Sequence, residues 1–150
     1  MSGATALTAA VVLVSGLAGA VQVAVMGELG ERVGIVPAVA FAAVVALLCA
    51  FVALVVAERS FAGVRAVLDE PAWLWLGGVM SILIVFAITL GPPRIGATAT
   101  IGLVITGNLL MAAVIDHFGL LGQDEIPLDR ARLLGIALLA AGASLTLSQT

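Results

Sequence analysis

Five long apolar runs take up almost the whole chain, and the charged residues fall mainly in the links between them. The runs cover residues 4–26, 35–57, 72–90, 96–117 and 131–148. Each is close to the roughly 20 residues that a helix needs to cross a bilayer. Charged residues make up 10% of the sequence and mean hydropathy is +1.28, whereas a soluble domain carries about 25% charge. We therefore predict an all-α membrane protein, a bundle of five transmembrane helices that forms one domain over residues 1–150.

The charged and reactive residues are too few and too scattered for several kinds of site. The chain has six arginines, no lysine and nine acidic residues, with a net charge of -3. This balance, without a basic cluster, argues against nucleic acid as a partner. His117 and Cys49 are single and far apart in sequence, so no metal site is expected. Neither a phosphate-binding loop nor a nucleophile elbow occurs, and we predict neither an enzyme nor a cofactor.

The links between the runs predict how the chain lies in the membrane. In the link over residues 58–71, Phe61, Val64 and Leu68 are spaced as on one face of a short helix that rests at the lipid surface. The membrane side that holds the N-terminus and the second and fourth links carries four arginines and the other side carries two, which favours an inside N-terminus. A bias this weak permits insertion in both orientations and hence an antiparallel dimer. No basic residue precedes the first run, so we interpret it as a retained helix and not as a cleaved signal.

Two amides stand out among the polar residues inside the runs. Asn108 lies near the centre of the fourth run, and Gln22 lies towards the end of the first. Each amide could bond a neighbouring helix, or it could line a cavity for a solute. The fourth run also carries small residues on two nearly opposite faces, one of which includes Thr106. Our prediction for the substrate-binding residues is Gln22, Asn108 and Thr106.

Asp116 is the acidic residue that most needs a partner. It lies at the end of the fourth run, where a carboxylate opposes the helix macrodipole. Arg130 or Arg132, at the start of the fifth run, is the expected partner. The pair could be structural, or it could act in gating or proton coupling. The middle of each run holds no acidic residue, so coupling would depend on Asp116 or on Glu28, which we expect at the end of the first helix.

Residues 73–122 and 126–145 resemble the last three helices of the YdcZ-like family, the short five-helix branch of the drug/metabolite transporter superfamily. The sharpest matches are Pro93-Arg94-Ile95-Gly96-Ala97 and Ile115-Asp116-His117-Phe118-Gly119. The resemblance implies a multi-pass exporter of the bacterial inner membrane. It also implies half of a ten-helix transporter, so that two chains in opposite orientations, as a homodimer or heterodimer, would move a small organic solute by alternating access.

This sequence departs from the family at polar positions. Asn108 stands where the family commonly has glutamine, and Met26 stands where it commonly has asparagine. The lumen would therefore be more apolar than usual. Two hypotheses follow, a more apolar substrate or a more polar partner chain. An alternative of a different class is a non-transporting scaffold or accessory subunit of a membrane complex.

Overall fold

The computed structural model describes residues 3–58 and 62–147, and their regular secondary structure is helical throughout. The helices are α1 (Gly3–Val33), α2 (Ile35–Glu58), α3 (Ala62–Asp69), α4 (Leu76–Leu90), α5 (Pro92–Ile95), α6 (Ala97–Phe118) and α7 (Arg130–Leu147). Short 3₁₀ turns cover Ala72–Trp75 and Leu120–Gly122. Five helical segments of the described chain are long and apolar enough to cross a membrane. The prediction of an all-helical protein with five membrane-length helices is therefore confirmed.

The first link is shorter than the sequence analysis predicts. The predicted end at residue 26 is wrong, because α1 continues to Val33. Glu28 and Arg32 lie one turn apart and form an ion pair of 2.7 Å, a spacing that favours helix. The helix ends at Gly34, whose φ of 93° suits glycine. Glu28 therefore lies inside α1 and not at its end, and a single residue joins α1 to α2.

The second link contains the expected short helix. α3 covers Ala62–Asp69, and its residues Val64 and Leu68 are exposed, as an apolar face resting on lipid would be. Phe61, the third residue of that predicted face, lies outside the described residues. Trp73 and Trp75 follow in the 3₁₀ turn that leads into α4, and both are about half-exposed. The predicted last helix ends at 148, whereas α7 is described to Leu147.

The link between α4 and α6 is built around two glycines. Pro92 and Pro93 start the short helix α5, since proline fits the first turn of a helix. Gly96 then turns the chain with φ 77° and ψ 156°. Gly91 packs directly on Thr100, since a Cβ at Gly91 would overlap the Thr100 hydroxyl. That hydroxyl donates to the Gly96 carbonyl at 2.8 Å, so the start of α6 is fixed from both sides.

The chain divides into two compact units. One consists of the described residues of Met1–Ala24 and Gly91–Thr150, and the other of Val25–Leu90. In the second unit α2 packs on α4, and the fully buried Thr89 lies against Gly30, where a Cβ would come within 2.6 Å of the Thr89 methyl. In the first unit α6 packs along α7, and a Cβ at Gly102 would lie 3.1 Å from that of Ala143. Small residues thus let the helices approach closely.

Most large apolar side chains face away from the protein. Leu13 is 70% exposed and Val56 is 71% exposed. In water, so much exposed apolar surface would be strongly unfavourable. In a bilayer it is not, because an apolar side chain that contacts lipid tails gains little by packing against protein instead. The exposed surface is therefore expected for helices that sit in a bilayer or against another chain.

Candidate functional site

An ion pair lies at one end of a groove between α6 and α7. The groove has a volume of about 290 Å³. Its apolar walls come from both helices: Leu109, Ala112, Ala113, Gly135, Ile136 and Leu139. Asp116 and Arg132 close one end. The site is thus an apolar channel along two helices with one ion pair at its mouth.

Small side chains create this groove. α6 and α7 run antiparallel, because Gly102 packs near Ala143 at one end of the pair while Asp116 meets Arg132 at the other. Close packing at the Gly102 end is not continued at Gly135, where a Cβ would find no atom within 4 Å. The missing side-chain volume at Gly135 and at the facing alanines of α6 leaves the space open.

Backbone hydrogen bonds near both residues of the ion pair fix the positions of Asp116 and Arg132. Arg132 Nη1 lies 3.0 Å from Asp116 Oδ2. Asp129 caps α7, since its Oδ1 accepts from the Arg132 backbone N–H at 2.7 Å. The Ile126 N–H donates to the Asp116 carbonyl at 2.7 Å, and Gly119 ends α6 in the left-handed conformation. The loop therefore folds back over the helix end and sets Arg132 opposite Asp116.

The expected partner of Asp116 is present, and it is Arg132. Arg130 makes no ion pair within residues 3–58 and 62–147. Glu28 is paired with Arg32 on the exposed side of α1. Whether any of these four charged groups acts in gating or coupling stays a prediction.

The predicted substrate-binding residues lie in different environments. Gln22 and Asn108 are both exposed, and their side chains make no hydrogen bond to any described residue. Thr106 is buried, and its hydroxyl donates to the Gly102 carbonyl of its own helix at 2.8 Å. The structure joins none of these three side chains to another by a hydrogen bond within the described chain. Their role towards a substrate stays a prediction.

Sequence reasoning predicted the charged pair of this site but did not assign Asp129, Gly135 or Ala112 to it. Asp129 precedes the first residue of α7, and an aspartate at that position is a recognised helix-start signal. Gly135 and Ala112 line the groove, but a small residue in an apolar run carries no signal that distinguishes an open groove from close helix packing. No group of three or more His, Cys, Asp or Glu side chains in the described chain is placed to hold a metal ion.

Exchanging the two charges of the pair should show how much it stabilises the protein. Asp116→Arg places two arginines at the groove mouth, so we expect a loss of about 1 kcal/mol in the free energy of unfolding. The double variant Asp116→Arg/Arg132→Asp should recover most of that loss, because the attraction is restored with reversed sign. Unfolding in detergent micelles, followed by circular dichroism, measures both. Additive losses in the double variant would show that the pair contributes nothing.

Residues 7–145 match the sequence model of the family DMT_YdcZ, described as "Putative inner membrane exporter, YdcZ". No curated protein and no solved structure matches the chain. The family match covers far more than half of the 150 residues, and the five membrane-length helices agree with it. The chain therefore belongs to the YdcZ-like family of inner membrane exporters and is a multi-pass protein of that membrane.

Proposed function

We propose that this protein exports a small organic solute by alternating access, as an antiparallel dimer whose shared cavity is lined by Gln22 and Asn108. The observation that carries the proposal is the state of these two amides. Both lie inside membrane-length helices, both are exposed, and neither has a hydrogen-bond partner among the described residues.

An amide in hydrocarbon needs a partner. Leaving it unbonded there costs on the order of several kcal/mol. The candidates are water in a cavity, a bound solute, or a second chain. A second copy of the chain can provide all three, because two half-transporters enclose a site at the membrane midplane. Asn108 lies near the middle of α6, at the depth where such a site is expected.

The charge distribution supports the opposite orientation of the two copies. The arginine bias between the two membrane sides is four to two, which is a weak topology signal. An odd number of crossings places the chain ends on opposite sides of the membrane. Two copies inserted in opposite senses would then bring the same helices together around a two-fold axis, as in transporters with inverted repeats.

The polar groups also indicate a class of solute. The amides can donate and accept hydrogen bonds but carry no charge, and the surrounding side chains are apolar. The solute is then a largely apolar molecule with one or two hydrogen-bonding groups. Thr106 would shape the cavity, since its hydroxyl is already bonded to Gly102.

The charged residues near the helix ends would act as gate or coupling group. The Asp116–Arg132 pair is partly exposed, at 30% and 42% of the side-chain surface, so a conformational change can open it at little cost. Glu28 and Arg130 are further charges of this kind. In an export assay, the double variant Asp116→Arg/Arg132→Asp distinguishes a gate from a proton carrier. A gate works with either polarity, whereas a proton carrier needs the carboxylate at position 116.

Replacing Asn108 with leucine tests the proposal. The protein is reconstituted into vesicles of bacterial polar lipids and offered a panel of radiolabelled small organic solutes, with and without a pH gradient. We expect Asn108→Leu to lose at least tenfold in transport of the solutes that the parent chain moves, because the uncharged contact is gone. Ser144→Leu is the control. It also replaces an exposed polar residue of a membrane helix, but one whose hydroxyl already bonds the carbonyl of Ala141.

Two results would reject the amide site. One is unchanged transport by Asn108→Leu in protein that inserts normally. The other is an equal loss in Ser144→Leu, which would indicate a general effect of added bulk on the helices.

A scaffold without transport activity is the second candidate. It is favoured by the lack of acidic residues in the middle of the apolar runs, because coupled transport often uses such a carboxylate. A chain of this kind would be silent across the whole solute panel and would co-purify from its host with a second membrane polypeptide. Recovery of this chain alone would exclude two forms of assembly: a transporter made with a different partner chain, and a scaffold within a complex of different subunits.

A further inference from the structure

We propose that the groove between α6 and α7 binds one phospholipid whose head group carries a primary ammonium, as phosphatidylethanolamine does. Its acyl chain would lie along the groove, and its head group would sit on the Asp116–Arg132 pair. The groove is lined by neither Gln22 nor Asn108, the proposed solute contacts, but its mouth is the Asp116–Arg132 pair proposed above as a gate. Lipid binding there does not depend on transport.

The depth of the groove in the membrane fits a lipid. Asp116 lies near the end of α6 and Arg132 near the start of α7, so the pair is at the level of the lipid head groups. The groove runs from there to Leu109 and Leu139, each seven residues away along its helix and hence about 10 Å deeper. A polar mouth at the surface with an apolar channel below it matches the shape of one acyl chain under its head group.

Hydrogen-bonding atoms of Asp116 and Arg132 that have no partner in the described chain indicate which lipid head group fits the groove mouth. Arg132 has five N–H donors on its side chain, and only the one from Nη1 to Asp116 is engaged within the described residues. The Oδ1 atom of Asp116 accepts no hydrogen bond from them either. A phosphate can accept from the free guanidinium donors, while a primary ammonium can donate to the free carboxylate oxygen.

Charge complementarity selects among the common lipids. The pair offers one cation and one anion, so a zwitterion matches both. Phosphatidylglycerol has hydroxyl donors but no cationic group, so it offers Asp116 no opposite charge. Phosphatidylcholine has a cationic group but no N–H, so it cannot donate a hydrogen bond to Asp116. Asp124, Glu125 and Asp129 on the adjoining loop further disfavour a lipid with a net negative charge.

The groove is distinct from the position of Asn108. On a helical wheel, the groove residues of α6 all lie to one side of Asn108, from roughly 40° away at Ala112 to roughly 140° at Ala113. Asn108 does not line the groove. A lipid in the groove would therefore leave the proposed solute contact free.

Native mass spectrometry of the purified full chain in detergent tests the site, with phosphatidylethanolamine, phosphatidylglycerol and phosphatidylcholine added in turn. We expect one phosphatidylethanolamine per chain to bind at least tenfold more tightly than either other lipid. Gly135→Leu should weaken its binding at least tenfold, because the new side chain enters the open space of the groove. Gly142→Leu is the matched control. It lies two turns further along α7, also has open space around it and is outside the groove, so its lipid binding should equal that of the parent.

Two further variants make the result decisive. Ala112→Leu fills the groove from the α6 side and replaces Gly135→Leu should that variant fail to fold, as judged by circular dichroism and gel filtration. Asp116→Asn should bring phosphatidylethanolamine and phosphatidylglycerol to equal affinity, because the ammonium loses its charged acceptor. Equal binding of all three lipids by the parent chain, or parent-like binding after the groove is filled, would overturn the proposal.

Discussion

Replacing Gly96 with alanine is expected to lower the free energy of unfolding by about 3 kcal/mol. Gly96 has φ 77° and ψ 156°, a region of backbone space that is almost reserved for glycine. A residue with a Cβ held there is strained by on the order of 1–3 kcal/mol, and it would relieve the strain by moving the chain. The shift would then cost the contacts that depend on this turn.

Those contacts fix the start of α6. The Gly96 carbonyl accepts both the Thr100 backbone N–H at 3.1 Å and the Thr100 hydroxyl at 2.8 Å. Thr100 in turn packs on Gly91. A change at Gly96 would therefore also disturb the packing of Thr100 on Gly91.

Chemical unfolding in detergent micelles, monitored by circular dichroism, measures the effect. Gly78→Ala serves as the control, because Gly78 lies inside α4 and a Cβ there meets open space. Alanine should stabilise that helix by up to about 1 kcal/mol. Similar stability of the two variants would show that the backbone at Gly96 is not constrained.

The sequence predicts the five membrane-length helices well because each is a continuous apolar run of about bilayer length. It fails at the end of α1. Residues 27–33 are polar enough to read as a link, yet Glu28 and Arg32 are spaced to support one another on a helix. Hydropathy indicates which residues lie in the hydrocarbon of the bilayer, but a helix can continue beyond it. α1 ends only where Gly34, with its positive φ, turns the backbone.

The candidate site is only partly predictable for a physical reason. A carboxylate at a helix C-terminus calls for a nearby cation, and this predicts Arg130 or Arg132 as the partner of Asp116 from the sequence. The structure selects Arg132. The groove instead arises from absent side-chain volume at Ala112 and Gly135. Small residues occur both in tight helix contacts and in open grooves, as Gly102 and Gly135 show in one helix pair, so only the three-dimensional structure separates them.

The amides set a similar limit. A helix that is apolar on every side has no amphipathic pattern to reveal which face a neighbour covers. The sequence could therefore single out Gln22 and Asn108 but not their surroundings. Because both amides are exposed within one chain, their proposed partners lie in a cavity shared with a second chain.

Two variants that are each forced into one orientation should be inactive alone and active together. The first combines Arg32→Gln with Glu70→Lys. It leaves one basic residue on the membrane side where α1 and α4 end and five on the opposite side, starting from two and four. The second combines Arg59→Gln, Arg65→Gln, Glu31→Lys and Val33→Lys, which reverses the balance to four against two. Basic residues near helix ends set orientation, and these substitutions leave the amides and the Asp116–Arg132 pair unchanged.

The expected effect is all-or-none because an antiparallel dimer needs one chain of each orientation. Each variant is made with Cys49 replaced by alanine and with one new cysteine in a link. Labelling of that cysteine in intact cells then verifies that each variant has a single orientation. Export of a solute identified with the parent chain should be at background for either variant alone and near the parent level on co-expression. The charge changes are the same in the single and the combined samples, so recovery on co-expression cannot come from altered folding. Full activity of one variant on its own would require a parallel assembly or a monomer. Neither places the same amides of two chains opposite each other around an axis in the membrane plane, so this result would reject the antiparallel dimer.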